Sequence, residues 1–176
     1  MTIRGRAWKL GDGITTDHIS PGRFFHLRSN LPELAKHCFA DVKPEFAASV
    51  KAGDIVVGGQ NFGLGSSREH APIILKLTGV GAVLAKSYAR IFFRNAINSG
   101  LPALIIDTDQ IREGDELELN LATGQVKDLT TGVEMIAPPL PPVMRTIIGD
   151  GGLVEHIKKH GGLKLGGETL FYEFPD

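Results

Sequence analysis

Three observations predict an α/β fold. Short apolar runs alternate with helical segments from residue 4 to residue 106. Glycine, at 22 of 176 residues, gathers in the loops between them. Beyond residue 115 the pattern changes to acidic and apolar residues in alternation. The first pattern argues for βαβ units and the last for a half-exposed antiparallel meander.

The elements follow in order. Arg4–Leu10 reads as a strand ending at the Gly11-Asp12-Gly13 turn. Residues 14–20 are polar, run into Pro21-Gly22 and read as a structured loop. Leu31–Phe39 and Pro44–Val50 read as short helices with prolines in their first turns. Asp54–Val57 is an apolar strand, and Ala71–Leu77 a helix stopped at Gly79. Val80–Ala85 is a second buried strand. Tyr88–Asn98 is a helix with Ile91, Phe92 and Ala96 on its apolar face, and Leu101–Ile106 is a further strand. Glu116–Leu121, Gln125–Leu129 and Val133–Ile136 form the meander, separated by turns at Gly124 and Gly132. Pro138–Pro142 is a stiff connector and Leu153–Lys159 a last short helix. The chain after the prolines is too short for a second core, so residues 1–176 read as a single domain.

Composition narrows the function. Apolar residues make up 42% and charged residues 22%, with a net charge of −1, so no basic field points to nucleic acid. No apolar run is long enough for a helix to span a bilayer, and the N-terminus lacks a signal pattern, which makes a cytoplasmic setting the expectation. One cysteine, Cys38, makes neither an internal disulfide nor a thiolate cage for a metal cluster.

Three segments carry chemistry. Gly58–Pro72 places Ser66, Ser67, Arg68, Glu69 and His70 in a glycine-rich loop at the start of a helix, where hydroxyls and a guanidinium stand beside unpaired backbone N–H groups. Read alone, Ser-Ser-Arg-Glu is also ordinary helix-capping chemistry, and neither a phosphate-loop ending nor a nucleophile-elbow pattern is present. Thr15-Thr16-Asp17-His18 reads either as a local side-chain turn or as a charge partner, Asp17, with His18 as anchor. Arg23 and Arg28 bracket Phe24-Phe25-His26-Leu27. Such a loop suits an organic acid, with guanidinium forks for carboxylate and phenylalanines for an apolar group. The same residues also suit a loop that packs its rings inward and leaves its arginines solvated.

Together these segments resemble the small subunit of aconitase-superfamily dehydratases. The resemblance rests on Thr16-Asp17-His18-Ile19-Ser20, Gly63-Leu64-Gly65-Ser66-Ser67-Arg68-Glu69-His70-Ala71 and Ala85-Lys86-Ser87-Tyr88-Ala89-Arg90-Ile91, followed by Asn95 and Gly100-Leu101-Pro102. It spans residues 5–106 in order, and the chain length resembles the stand-alone small subunit of the 3-isopropylmalate dehydratase and homoaconitase type.

The resemblance implies a swivelling β/β/α domain, with a mixed sheet or partly closed barrel flanked by helices. It implies a hydro-lyase, active only with a large subunit in a heterodimer or heterotetramer. That partner carries a 4Fe–4S cluster on three cysteines, and no metal is bound by this chain. By matched position Ser66 is the general base, Arg68 the stabiliser of its alkoxide and of substrate carboxylate, and Asp17 an acid that orders the network. Ser67, Arg28, Arg23, Phe25 and His26 are the expected substrate contacts. Phe24, Phe25 and Leu27 favour an isopropyl group, hence 3-isopropylmalate, whereas Arg28 pulls toward a third carboxylate. Homoaconitate and 2,3-dimethylmalate therefore stay open. So does a non-catalytic dicarboxylate-binding or regulatory domain.

Overall fold

The structure is a computed structural model that describes residues 1–66 and 68–162. Its framework is one mixed seven-stranded sheet. In chain order the strands are β1 (Thr2–Lys9), β2 (Ile55–Val57), β3 (Ala82–Ala85), β4 (Ala103–Ile105), β5 (Glu116–Asn120), β6 (Gln125–Asp128) and β7 (Glu134–Ile136). Their order in the sheet is β4-β3-β2-β1-β5-β6-β7, open at both ends.

β1 joins two different half-sheets. Its second half pairs in parallel with β2, and β3 and β4 continue that direction. Its first half pairs antiparallel with β5, which leads into the β6–β7 meander. Sequence patterning explains the division. β2 and β3 are buried at every residue, as covered parallel strands are. β5 and β6 alternate between half-buried and buried, as strands with one wet face do.

The helices are α1 (Thr16–Ile19), α2 (Leu31–Ala35), α3 (Phe46–Ser49), α4 (His70–Leu77), α5 (Arg90–Ser99), α6 (Pro142–Gly149) and α7 (Leu153–His160). α4 packs between α2 and α5, and α5 also meets α6 and α7. β1 to β4 step across the sheet in one direction, and the right-handed rule for parallel crossovers then puts their connecting helices in one layer. Elsewhere Phe46 of α3 sits edge-on between Trp8 and Phe39, with ring centroids 5.1 and 5.0 Å apart.

Four expectations are corrected. Residues 14–20 do not stay a loop, because a reciprocal capping box forms α1. Thr15 Oγ1 accepts from the His18 amide at 3.1 Å, and the Thr15 amide donates to His18 Nδ1 at 3.0 Å. The second helix stops at Ala35, not Phe39: the Lys36, His37 and Cys38 amides bond three residues back, and Phe39, at φ 57°, donates its amide to the Ile19 carbonyl instead. α6 follows the proline connector unpredicted, although Pro142 at its start and the Gly149-Asp150-Gly151-Gly152 stop were legible signals. Ile91 does not share the buried face of α5, which is formed by Phe92, Phe93, Ala96 and Ile97, and Ile91 remains 52% exposed.

A buried carboxylate locks β1 to β2. Asp54 is 4% exposed. It accepts from Trp8 Nε1 at 2.9 Å, from the Lys51 amide at 2.9 Å and from the Arg6 amide at 3.1 Å. Asp54→Ala leaves three donors without partners, each worth about 1–3 kcal/mol where buried. The expected loss is on the order of 3 kcal/mol or more, measured by urea unfolding, with an m-value close to that of the unaltered chain.

Candidate active site

The loops leaving β1 and β2 are stitched together by main-chain hydrogen bonds. Leu10 donates to Val57, Gly59 to Gly11, Gly13 to Gln60, Gly63 to Ile14 and Thr16 to Leu64, at 2.6 to 3.1 Å. The Thr16 hydroxyl then donates to the Ser66 carbonyl at 3.0 Å. The third motif joins at buried Phe62, whose amide donates to the Ser87 carbonyl and whose carbonyl accepts from Ala89, both at 2.9 Å. The three sequence motifs thus meet at one end of the parallel half-sheet, where ligand crevices of open α/β sheets lie.

Glycine is obligatory at position 63. Its φ is 84°, and a Cβ there would stand 2.2 Å from the Phe92 side chain. That close approach turns the chain outward, so that Ser66 and Arg68 line a cleft of about 640 Å³ together with Gly22, Phe25, Arg28, Glu69 and His70. Both residues also line a second cleft of about 350 Å³, bounded by Gly65, Ile91 and Asn95 among others.

Arg68 is the electrostatic centre. Its Nη1 stands 2.7 Å from Asp17 Oδ1 and donates to the Ser20 carbonyl at 2.6 Å. Asp17 Oδ1 also accepts the Gly22 amide at 3.0 Å. The arginine side chain is 21% exposed and the aspartate 61%. This pair contributes little stability in such a wet setting, but it fixes where the guanidinium stands.

Ser66 does not cap α4. The helix begins at His70 with Glu69 as its N-cap residue, no side chain bonds the cap, and Pro72 falls in the first turn where no amide is required. Among the described residues no group hydrogen-bonds the Ser66 hydroxyl. Ser67 lies outside the described residues.

The flanking loop becomes a 3-10 turn (Gly22–Leu27). It brings in Phe25 and Arg28, with the Arg28 guanidinium 4.5 Å above the Phe25 ring. Arg23 and His26 are not among the residues lining either cleft. Arg23 pairs with Asp41 and lies 4.6 Å over Phe24, and His26 Nδ1 is 3.2 Å from the Arg23 carbonyl. His18 serves as the capping anchor of α1. Lys86 leaves the cleft to bind Asp109 at 2.6 Å, and that bond raises its pKa.

His70 and Asn95 are cleft residues that sequence reasoning quoted, the first inside a motif and the second just after one, but assigned no role; that placement was the available signal. His70 Nε2 is buried without a hydrogen-bond partner among the described residues, and its ring centroid lies 6.2 Å from that of Phe25. Burial, and then the Arg68 charge, lower the His70 pKa below the ordinary imidazole value.

A relative in Archaeoglobus fulgidus, named 3-isopropylmalate dehydratase small subunit 2, is 59% identical over 94% of this chain and 100% of its own length. The chain belongs to this small-subunit family. The Thermotoga maritima member, small subunit 1, is 56% identical over 90% of this chain and 96% of its own. A family model described as the aconitase C-terminal domain matches residues 28–109. The crystal structure of 3-isopropylmalate dehydratase from Methanocaldococcus jannaschii superposes with a TM-score of 0.87. It is 43% identical and covers 92% of this chain and 96% of that one.

An iron–sulfur cluster does not fit on this chain. Cys38 is its one cysteine and is 1% exposed, and burial pushes its thiol far above the ordinary range, against the thiolate a cluster needs.

The lowered His70 pKa has a definite sign. The unfolded chain takes up a proton at this histidine at higher pH than the folded chain does. Stability is therefore complete above the unfolded value of about 6.5 and is lost as pH falls below it. In an NMR titration His70 is expected below the ordinary imidazole value, and Arg68→Ala is expected to recover the smaller part of the shift.

Proposed function

We propose that this chain is the small subunit of a two-subunit 3-isopropylmalate dehydratase, interconverting 2- and 3-isopropylmalate by dehydration and rehydration in leucine biosynthesis. The observation that carries the proposal is Ser66 and Arg68 lining one cleft, with Asp17 paired to that arginine, on a chain whose strongly similar relatives bear that name. The large partner holds the iron–sulfur cluster, a division supported by the single buried thiol here. The cytoplasm, where such a thiol stays reduced, is the proposed setting; among the described residues no helix is long and apolar enough to cross a membrane.

The roles are those the resemblance implies by matched position, and the geometry supports them as follows. Ser66 takes the proton from the carbon beside the one that loses hydroxide. In rehydration it delivers a proton to the carbon that lost the hydroxyl, while the hydroxyl of water adds to the carbon that lost the proton. A serine hydroxyl is a weak base, so its alkoxide needs a fixed positive charge nearby, and Arg68 provides it. Asp17 holds one guanidinium nitrogen, which orients the fork toward a substrate carboxylate. Ser67 is the adjoining substrate contact by sequence position. When bound, the partner's cluster supplies the Lewis acid for the departing hydroxyl. Phe25 offers the apolar wall for the isopropyl group. The presence of Arg28 in the same cleft favours a second reading, homoaconitate, whose extra carboxylate it would pair.

The isolated chain is expected to be inactive and to gain turnover when mixed with its cluster-bearing partner. Ser66→Ala is expected to lower turnover of that complex by about 10²–10⁴-fold, with the melting temperature of the chain unchanged. Full activity in the variant complex would remove the base assignment. Dicarboxylate binding by calorimetry with no turnover in any complex would favour the binding-module reading. Arg28→Leu is expected to reduce kcat/KM for homoaconitate relative to 3-isopropylmalate by roughly tenfold or more.

A further inference from the structure

The corner between α6 and α7 gathers three metal-ligating side chains that the dehydratase chemistry does not use. Asp150 is the C-cap of α6, and His156 and His160 lie one turn apart on α7, so both imidazoles face the same carboxylate. Asp150 Oδ2 stands 2.7 Å from His156 Nδ1 and 2.9 Å from His160 Nε2. The three ligand atoms all lie within 4.8 Å of one another. The other carboxylate oxygen is held by Lys159 at 2.5 Å.

The corner is rigid for a reason outside the cluster. Gly152 adopts φ 126°, and a Cβ there would stand 2.7 Å from the Asn98 carbonyl at the end of α5. Lys76 of α4 donates to the Gly151 carbonyl at 2.8 Å. The Asp150 and His156 side chains are 6% and 2% exposed, whereas His160 is 34% exposed and leaves a route from solvent.

We propose that Asp150, His156 and His160 form a binding site for a divalent transition-metal ion of the zinc class. Two imidazoles and one carboxylate are a donor set suited to such ions, and three protein ligands leave a position for water. Metal–ligand distances of about 2.0–2.2 Å in a tetrahedron place the donor atoms roughly 3.4 Å apart. To admit the ion the carboxylate oxygen need withdraw only about 0.7 Å from His156 Nδ1, now at 2.7 Å, and about 0.5 Å from His160 Nε2, now at 2.9 Å. Lys159 on the other oxygen then acts as the outer partner that keeps Asp150 a one-oxygen ligand. Such an ion ties α7 to the end of α6, independently of turnover at Ser66.

The test uses the full chain, stripped of metal with a chelator and titrated with Zn²⁺ by calorimetry at neutral pH. One equivalent is expected to bind with micromolar or tighter affinity and to raise the melting temperature. Co²⁺ in its place is expected to give a visible spectrum without thiolate charge-transfer bands, since Cys38 is not a ligand. His160→Gln, at the most exposed ligand, is expected to keep the fold by circular dichroism and weaken Zn²⁺ binding by at least roughly tenfold. Equal affinity in the two proteins, or no saturable binding in the unaltered chain, would overturn the site and leave the cluster a hydrogen-bonded clamp. Neither result bears on the dehydratase reading, because no activity is measured.

Discussion

The site depends on one constraint: the parallel pairing of β1 with β2 does not stop where the strands stop. Main-chain bonds continue it from Leu10 through Gly13 to Thr16 on one loop, and from Val57 through Gln60 to Leu64 on the other. Two glycine-rich loops would otherwise carry a high ordering entropy. Each amide paired across them removes freedom that the site would have to suppress on binding, and the buried ring of Phe62 meets Tyr88 of the third motif, drawing it into the same framework. Glycine at 63 is therefore a packing requirement against Phe92 before it is a functional one.

On that rigid base the chemistry is carried by few groups. The Asp17–Arg68 pair is half in water and adds little to stability, yet it determines the direction of a charge in the cleft. Its value rises when solvent is excluded, since a charge–charge interaction grows as the effective dielectric falls. A cleft left open on this chain and a cysteine sealed in its core are consistent with a reaction centre completed by a second polypeptide.

The fold and the site were legible to different degrees. Strands β2 to β6 and helices α4, α5 and α7 announce themselves through continuous apolar runs, period-two alternation or helical spacing, and the structure has each within a few residues of the expected bounds. Helix α1 and the end of α2 were not legible. α1 exists because Thr15 and His18 cap each other, and α2 ends early as its backbone tightens to bonds three residues back before Phe39 turns left-handed to reach Ile19, which no local pattern encodes. Ile91 fits the apolar stripe of α5 by period but is half exposed beside the smaller cleft, a departure from patterning at a candidate functional surface.

The sequence by itself determined the types of element, the presence of three polar motifs and the lack of enough cysteines to cage a metal cluster, because these follow from local periodicity and residue chemistry. Tertiary structure decided which of the motif residues meet. It brought Asp17 to Arg68 and placed Phe25 and Arg28 in the Ser66 cleft. It turned Arg23 toward Asp41, His18 into a helix cap and Lys86 toward Asp109. The reason is physical: propensity acts over a few residues, whereas strand order and the bonds between loops bring together side chains that no spacing along the chain relates.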